Sequence, residues 1–199
     1  MNLNEITMLS KFDIADYIIA KYDGQVTPMK LQKLLYYCYV WSLVADKKAF
    51  NANFEAWDYG PVEPEVYHHF KHFGRNPIPN VKEVKVEVSK EMNFILDSYA
   101  NFSALELSKT THLETPWKKN VAQGARIEDQ ELIDYYKNQP FSWNFPLSKE
   151  KKYYPPKTSS HFSFTFDMSK DYVPVYENID DYLAGIAQAK QGFQMLISG

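Results

Sequence analysis

The sequence has 199 residues, with 22 Lys plus Arg against 25 Asp plus Glu and a formal net charge of −3. This length allows one sizeable core, or a domain of about 130 residues with an appendage. The charge balance gives no broad attraction for nucleic acid or anionic lipid, and no apolar run approaches the ~20 residues of a membrane-spanning helix. The single cysteine excludes an internal disulfide. No secretory leader pattern opens the sequence, so we expect a cytoplasmic protein.

Two helices are predicted in the first 45 residues. The S-x-x-D pattern at residues 10–13 starts the first helix, and Gly24 ends it. The second helix runs from Thr27, which can cap its first turn, through Pro28 to Ala45. After its first turn this helix is apolar or aromatic on most faces, so we predict a central helix buried by the others.

The predicted elements between residues 54 and 137 are short. A turn at Tyr59 to Pro61 precedes a helix from about residue 63 to 73. Alternating valines at 84, 86 and 88 predict a half-buried strand in a short edge hairpin. Further helices are predicted after the caps Ser89 and Ser103, after the Thr115-Pro116 pair, and over residues 128–137.

The C-terminal part has a different composition. Residues 138–160 combine four prolines with five Phe, Tyr and Trp residues. The pattern then predicts a strand at Phe162 to Phe166 that pairs with residues 172–176, and a last helix capped by Asn178. We therefore predict a mainly α fold with minor β hairpins: a compact helical domain at residues 1–137 around a central buried helix. A strand-strand-helix extension at residues 138–199 would dock on this domain or on a partner.

Two groups of reactive side chains are better explained by structure than by catalysis. Cys38 lies in an apolar part of the central helix, where a thiol is poorly ionised. His68 and His72 have a spacing that can chelate a metal, but a zinc site needs at least a third ligand. A metal-dependent or hydrolytic enzyme centred on these histidines and Glu65 remains the third-ranked hypothesis.

The remaining polar groups do not form a catalytic motif either. Glu63 and Glu65 suit the first turn of a helix, where the helix dipole favours acidic residues. His112, Glu114 and Trp117 could suggest a general base and a residue that orients it, but no nucleophile motif accompanies them. No glycine-rich nucleotide loop is present. We therefore expect no enzymatic activity, no cofactor and no bound metal.

Three separated motifs resemble a known family when they are taken together. They are K-L-Q-K-L-L-Y-Y at residues 30–37, E-A-W-D-Y-G-P-V at residues 55–62, and L-S-K-T-T-H-L-E-T-P-W at residues 107–117. In this order they resemble the Panacea domain, also described as the SocA-like or GepA-like family, over about residues 10–137.

The resemblance implies a helical antitoxin without catalytic activity that neutralises a toxin by binding it directly. Members of the family accompany unrelated toxins, including alarmone-synthetase-like enzymes. The alternative is a phage or mobile-element accessory protein that counters a host defence or acts as a protease adaptor. Homo-oligomerisation remains open, and the absence of a basic face or DNA-binding helix pair argues against a nucleic-acid partner.

We expect the partner to contact the polar start of the central helix and the nearby turn. Because Lys33 is expected to be exposed there, Lys33→Glu is expected to leave the fold intact. The predicted partner-binding residues are Lys30, Gln32, Lys33, Tyr37, Trp57, Tyr59, Gly60, Pro61, Val62, Tyr67 and His112.

Overall fold

A computed structural model describes residues 8–80, 84, 86–158 and 175–197, with side chains described up to residue 188. The helices in these ranges are α1 (Lys11–Lys21), α2 (Pro28–Val44), α3 (Pro64–Phe70), α4 (Lys90–Tyr99), α5 (Ala104–Leu113), α6 (Thr115–Asn120), α7 (Asp129–Tyr136) and α8 (Ile179–Ile197). The strands are β1 (Glu55–Trp57) and β2 (Gly60–Val62). The fold is mainly α with a minor β element, as predicted.

Helix α2 is the centre of the fold. Thr27 caps it by accepting a hydrogen bond from the Lys30 backbone N–H, and Pro28 occupies its first turn. Every residue from Leu31 to Ser42 is buried. Helices α1, α4, α5 and α7 and strand β2 all pack against α2, so the prediction of a buried central helix is confirmed.

The other helix ends mostly follow the predicted caps. Ser10, Ser89 and Ser103 each accept a hydrogen bond from the first turn of their helix, and Ser103 with Glu106 forms a complete capping box. Thr115 is different, because it lies inside α6 and Glu114 occupies the cap position without a side-chain cap bond. The side chain of Glu114 is engaged elsewhere in the core.

The β element lies on either side of the turn at Tyr59 to Pro61, and not at the alternating valines of residues 84–88. Strands β1 and β2 are antiparallel, with Glu55 opposite Val62 and Trp57 opposite Gly60. The predicted hairpin at residues 84–88 is wrong, because residues 84 and 86–88 are not in a strand. Alternating burial alone does not supply a partner for a strand's backbone groups. The predicted strand at Phe162 to Phe166 lies outside the described residues.

The C-terminal part packs on the helical core. Tyr153 and Tyr176 exchange backbone hydrogen bonds of 2.7 and 2.9 Å. Phe141, Tyr153 and Tyr182 are buried in the same cluster as α2. The division at residue 137 stays a prediction. Within the described ranges, every helix falls short of the length or apolar character that crossing a bilayer requires.

Candidate functional site

The hairpin turn between β1 and β2 rests on buried polar groups from α2 and α5. Lys33 is only 1% exposed, and its ammonium donates to the Pro61 carbonyl at 2.9 Å. Ser108 donates to the Tyr59 carbonyl at 2.9 Å. Gly60 has a φ of +97°, and a Cβ there would lie 2.7 Å from the Lys33 ammonium. Glycine is needed here both for the backbone conformation and for the space.

Gln32 ties α2 to the start of α3. Its side-chain oxygen accepts from the Glu63 N–H at 2.8 Å, and its amide donates to the Glu63 carbonyl at 3.3 Å. The Glu63 carboxylate caps α3 by accepting from the Val66 N–H at 2.9 Å. Lys11 makes ion pairs with Glu63 and Glu65 at 2.6 and 2.7 Å. These bonds fix the strand exit relative to α2.

Glu114 is buried below the same region. It is 6% exposed, and its two carboxylate oxygens accept hydrogen bonds from the hydroxyls of Tyr37 at 3.1 Å and Tyr136 at 2.6 Å. Tyr136 also contacts the Tyr36 hydroxyl at 3.3 Å, and the Tyr37 ring stacks on Tyr99 with centroids 4.2 Å apart. Tyrosine hydroxyls from two helices, α2 and α7, therefore hold one carboxyl group.

Burial moves the protonation equilibria of both charged groups toward their neutral forms. Desolvation lowers the pKa of Lys33 to about 7, although the charge of Glu114 opposes this shift. Desolvation likewise raises the pKa of Glu114 to about 7, against the hydrogen bonds from Tyr136 and Tyr37 and the charge of Lys33. The pKa of His112 is lowered by burial and by the nearby charge of Lys33.

An aromatic layer covers the outer side of β1. Trp57 meets Tyr67 edge to face, with centroids 5.0 Å apart, and the Trp117 indole donates to the Trp57 carbonyl at 2.8 Å. His112 stacks on Trp117 at 4.2 Å. Trp57, Tyr67 and His112 are each partly exposed.

The predicted partner-binding residues fall into two groups. Lys30, Trp57, Tyr59, Tyr67 and His112 reach the surface, although Lys30 also donates to the Ala100 carbonyl at 2.7 Å. The other six are buried: Gln32, Lys33, Tyr37, Gly60, Pro61 and Val62. The expected exposure at the start of the central helix is therefore wrong for Gln32 and Lys33, because the hairpin and the start of α3 supply hydrogen-bonding partners for their polar atoms.

The other reactive side chains do not meet at a common site. Cys38 is fully buried, and desolvation raises the pKa of its thiol. His68 and His72 are exposed, and Glu65 pairs with Lys11. Across the described ranges, no group of three or more His, Cys, Asp or Glu side chains is arranged to hold a metal ion.

Large apolar side chains are exposed near the buried polar groups under the hairpin, Gln32, Lys33, Ser108 and Glu114, which are here called the buried polar junction. Tyr59 at the hairpin turn is 68% exposed, and Leu105 and Leu113 on α5 are 59% and 63% exposed. Ser108 binds the Tyr59 backbone, so the hairpin turn lies against α5. The exposed apolar side chains of this turn and this helix are here called the outer apolar surface. The sequence analysis missed both leucines, since a leucine in an amphipathic helix is normally assigned to the core. The signal that could have found them is that Leu105 and Leu107 cannot share one helical face.

The comparisons with known proteins agree with the motif resemblance. A family model described as antitoxin SocA-like, Panacea domain, matches residues 31–118, which includes most of α2, the hairpin, α5 and most of α6. The chain is 28% identical over 152 residues to the antitoxin SocA of Caulobacter vibrioides (strain NA1000 / CB15N), covering 64% of this chain and 80% of the relative. No solved structure matches it. Residues 31–118 are therefore similar to the Panacea domain of antitoxin SocA-like proteins.

Proposed function

We propose that this protein is an antitoxin that neutralises a cognate toxin by forming a stoichiometric complex with it. The family match and the similarity to an antitoxin support this role. A complex of nanomolar affinity corresponds to about 12 kcal/mol of binding free energy and keeps the free toxin low by mass action. An alarmone-synthetase-like enzyme is one class of toxin that the resemblance suggests.

The observation that carries the proposal is the outer apolar surface of Tyr59, Leu105 and Leu113. Exposed apolar side chains grouped in one region mark binding sites more often than scattered ones do. Tyrosine is enriched among the residues that dominate interface energies, because its ring is large and loses little conformational entropy. We infer that the toxin buries this surface.

The buried polar junction gives this surface a fixed geometry. Lys33, Gln32 and Ser108 hold the hairpin backbone from below, so Tyr59 is presented on a rigid turn. A pre-formed surface loses less conformational entropy on binding than a flexible one. The buried motif residues would therefore support binding without touching the partner.

The C-terminal part offers a competing surface. Trp143 is 52% exposed, and its ring packs edge to face on Tyr154 at 5.1 Å. If this part made the decisive contact, Trp143 would matter and the outer apolar surface would not. Trp143→Ser is therefore the matched control for substitutions at Tyr59 and Leu105.

The test is co-expression of the tagged full chain with each adjacent open reading frame. We expect the product of one neighbouring gene to arrest growth when it is expressed alone. Co-expression of this chain should restore growth, and native mass spectrometry should show a one-to-one complex of the two proteins. The double variant Tyr59→Ser/Leu105→Ser should lose rescue and complex, whereas Trp143→Ser should keep both.

Two outcomes would contradict the proposal. No complex and no rescue with any neighbour would refute the toxin partner and favour the accessory-protein alternative. That alternative predicts capture of a host defence protein or a protease subunit instead. If Trp143→Ser abolishes rescue and the double variant does not, the antitoxin role stands but the assigned surface is wrong.

A further inference from the structure

A small pocket lies beside the C-terminal end of α5. Its volume is about 180 Å³. The walls include the aromatic residues Trp41, Tyr99, Tyr135 and Tyr136. Leu113 and Glu114, a buried acidic residue, also line the pocket. Because Leu113 is 63% exposed, the pocket adjoins the outer apolar surface.

The carboxyl group of Glu114 retains unused hydrogen-bonding capacity. Each oxygen accepts one bond from a tyrosine hydroxyl, and a carboxylate oxygen has two acceptor sites. Among the described residues, no cationic side chain makes an ion pair with Glu114. The Lys33 ammonium bonds the Pro61 carbonyl, and its charge acts on Glu114 without direct contact. A buried carboxylate without a contacting cation is costly, so a cation delivered into the pocket would be stabilised there.

The size and walls of the pocket restrict its occupant. Sites for drug-sized ligands measure about 300 to 1,000 Å³, so this pocket matches a single side chain better than a cofactor. Aromatic walls attract a cation through their ring faces, and a planar guanidinium can stack on them while bonding a carboxylate at two points. One free acceptor site on each Glu114 oxygen fits that two-point geometry.

We propose that the pocket receives one arginine side chain of the protein partner, bound by the Glu114 carboxylate and by the aromatic walls. The inference rests on the proposed function for the identity of the partner, whereas the chemistry of the pocket can be tested without one. Lys157 also lines the pocket and is exposed, so its charge opposes the incoming cation. Removing that charge should strengthen binding.

The first test uses butylguanidinium as a probe, with butylurea as its neutral and planar control, in ligand-detected NMR on the full chain. We expect saturable binding of butylguanidinium and binding of butylurea at least tenfold weaker. Lys157→Met should tighten butylguanidinium binding about threefold. Equal binding of the two probes, or no saturable binding of either, would overturn the proposal.

Two variants locate the binding in this pocket. Glu114→Gln keeps the shape and removes the charge, so guanidinium affinity should fall at least tenfold. Leu113→Trp places a larger ring at an exposed position bordering the pocket, where it should block entry without disturbing the fold. If butylguanidinium binds Leu113→Trp as tightly as the parent, the site lies elsewhere and the inference fails.

The complex with the toxin separates this inference from the proposed function. A complex that is weakened at least tenfold by Leu113→Trp, and by alanine at a single toxin arginine, supports both. A complex unaffected by Leu113→Trp keeps the antitoxin role and removes the arginine pocket. Specific guanidinium binding without any toxin partner keeps the pocket and removes the antitoxin role.

Discussion

The buried junction under the hairpin and the outer surface of α5 lie side by side and reverse the usual distribution of residue types. In the junction, Lys33 and Glu114 are 1% and 6% exposed. On the outer surface, Leu105 and Leu113 are more than half exposed. Buried charges cost stability unless they are well paired, and exposed leucines gain nothing in the free protein.

The two regions also differ in how their groups are satisfied. Lys33 and Glu114 have hydrogen-bonding partners inside the molecule, with the Pro61 carbonyl and two tyrosine hydroxyls. Leu105 and Leu113 expose apolar area that a partner could cover. The buried residues of the three motifs therefore mainly build the frame. The exposed Tyr59 and Leu113 within the motifs, and Leu105 outside them, offer the contact. Substitutions in the junction should change stability, and those on the outer surface should change binding.

The largest effect is expected for Lys33→Glu. The change removes the donor to the Pro61 carbonyl and places a second carboxylate in a site that already holds Glu114. We expect a loss of about 3 to 5 kcal/mol in the free energy of unfolding, measured by urea denaturation. Lys109→Glu, at an exposed position on α5, is the control and should stay within about 0.5 kcal/mol. Equal stability of the two variants would show that Lys33 is exposed after all.

Gly60→Ala should have the next largest effect. Its φ of +97° is unfavourable for alanine, and the new Cβ would press on Thr111 Oγ1 and the Lys33 ammonium. We expect a loss of about 1 to 3 kcal/mol in the free energy of unfolding, measured by thermal or urea denaturation. Gly74→Ala is the control, since Gly74 has a φ of +59° but an added Cβ there has no neighbour within 4 Å. A Gly60 variant no less stable than the Gly74 variant would remove the argument from close packing.

Local sequence rules predicted the helix boundaries well. The hydroxyls of Ser10, Thr27, Ser89 and Ser103 cap helices because a cap depends only on residues two or three positions away. The same rule failed at Thr115, although it repeats the Thr-Pro pair of α2. There Glu114 takes the cap position, and its side chain is directed to Tyr37, 77 residues earlier in the chain.

The candidate site was harder to predict because its contacts are distant in sequence. Lys33 was expected at the surface since charged residues are rarely buried. Its burial depends on the Pro61 carbonyl, which β2 supplies from 28 residues away. The valine alternation at 84–88 was read as a strand, but the pattern cannot say whether a neighbouring strand exists. Sequence periodicity indicates which side chains are buried, whereas contacts between distant segments decide whether the backbone pairs as a strand.

The third prediction concerns pH and uses Lys33→Met. The pKa of Lys33 is lowered from 10.5 to about 7 in the folded chain. Between these values the unfolded chain binds the extra proton, so the free energy of unfolding should rise with pH from 7 to 10. The slope from this group is at most about 1.4 kcal/mol per pH unit. Urea denaturation at pH 7, 8 and 9 should show this rise in the parent relative to Lys33→Met, and parallel curves would contradict it.

Glu114 should act in the opposite direction in the acid range. Burial raises its pKa from 4.5 to about 7, so the folded chain holds the extra proton between these values. Its contribution to the free energy of unfolding therefore falls as pH rises from 4.5 to 7. Comparing the parent with Glu114→Gln at pH 5 and 7 measures this contribution. A parent that gains stability relative to the variant over this range would exclude the assigned pKa shift.

The smallest effect on stability is expected for Leu105→Ser. Leu105 is 59% exposed in the free protein, so its loss should change the free energy of unfolding by less than about 0.5 kcal/mol. Leu107 lies two residues further along α5 and is fully buried. The same substitution there removes apolar contacts and buries a hydroxyl, which should cost about 3 to 5 kcal/mol.

This pair of leucines separates framework from contact within one turn of one helix. If Leu105→Ser keeps the parent's unfolding free energy and weakens the toxin complex at least tenfold, the exposed leucine is held outside the core for binding. If Leu105→Ser destabilises the free protein as much as Leu107→Ser, its side chain packs inside the fold and the outer apolar surface loses its central residue. Urea denaturation of both variants is sufficient to decide this, and it needs no partner.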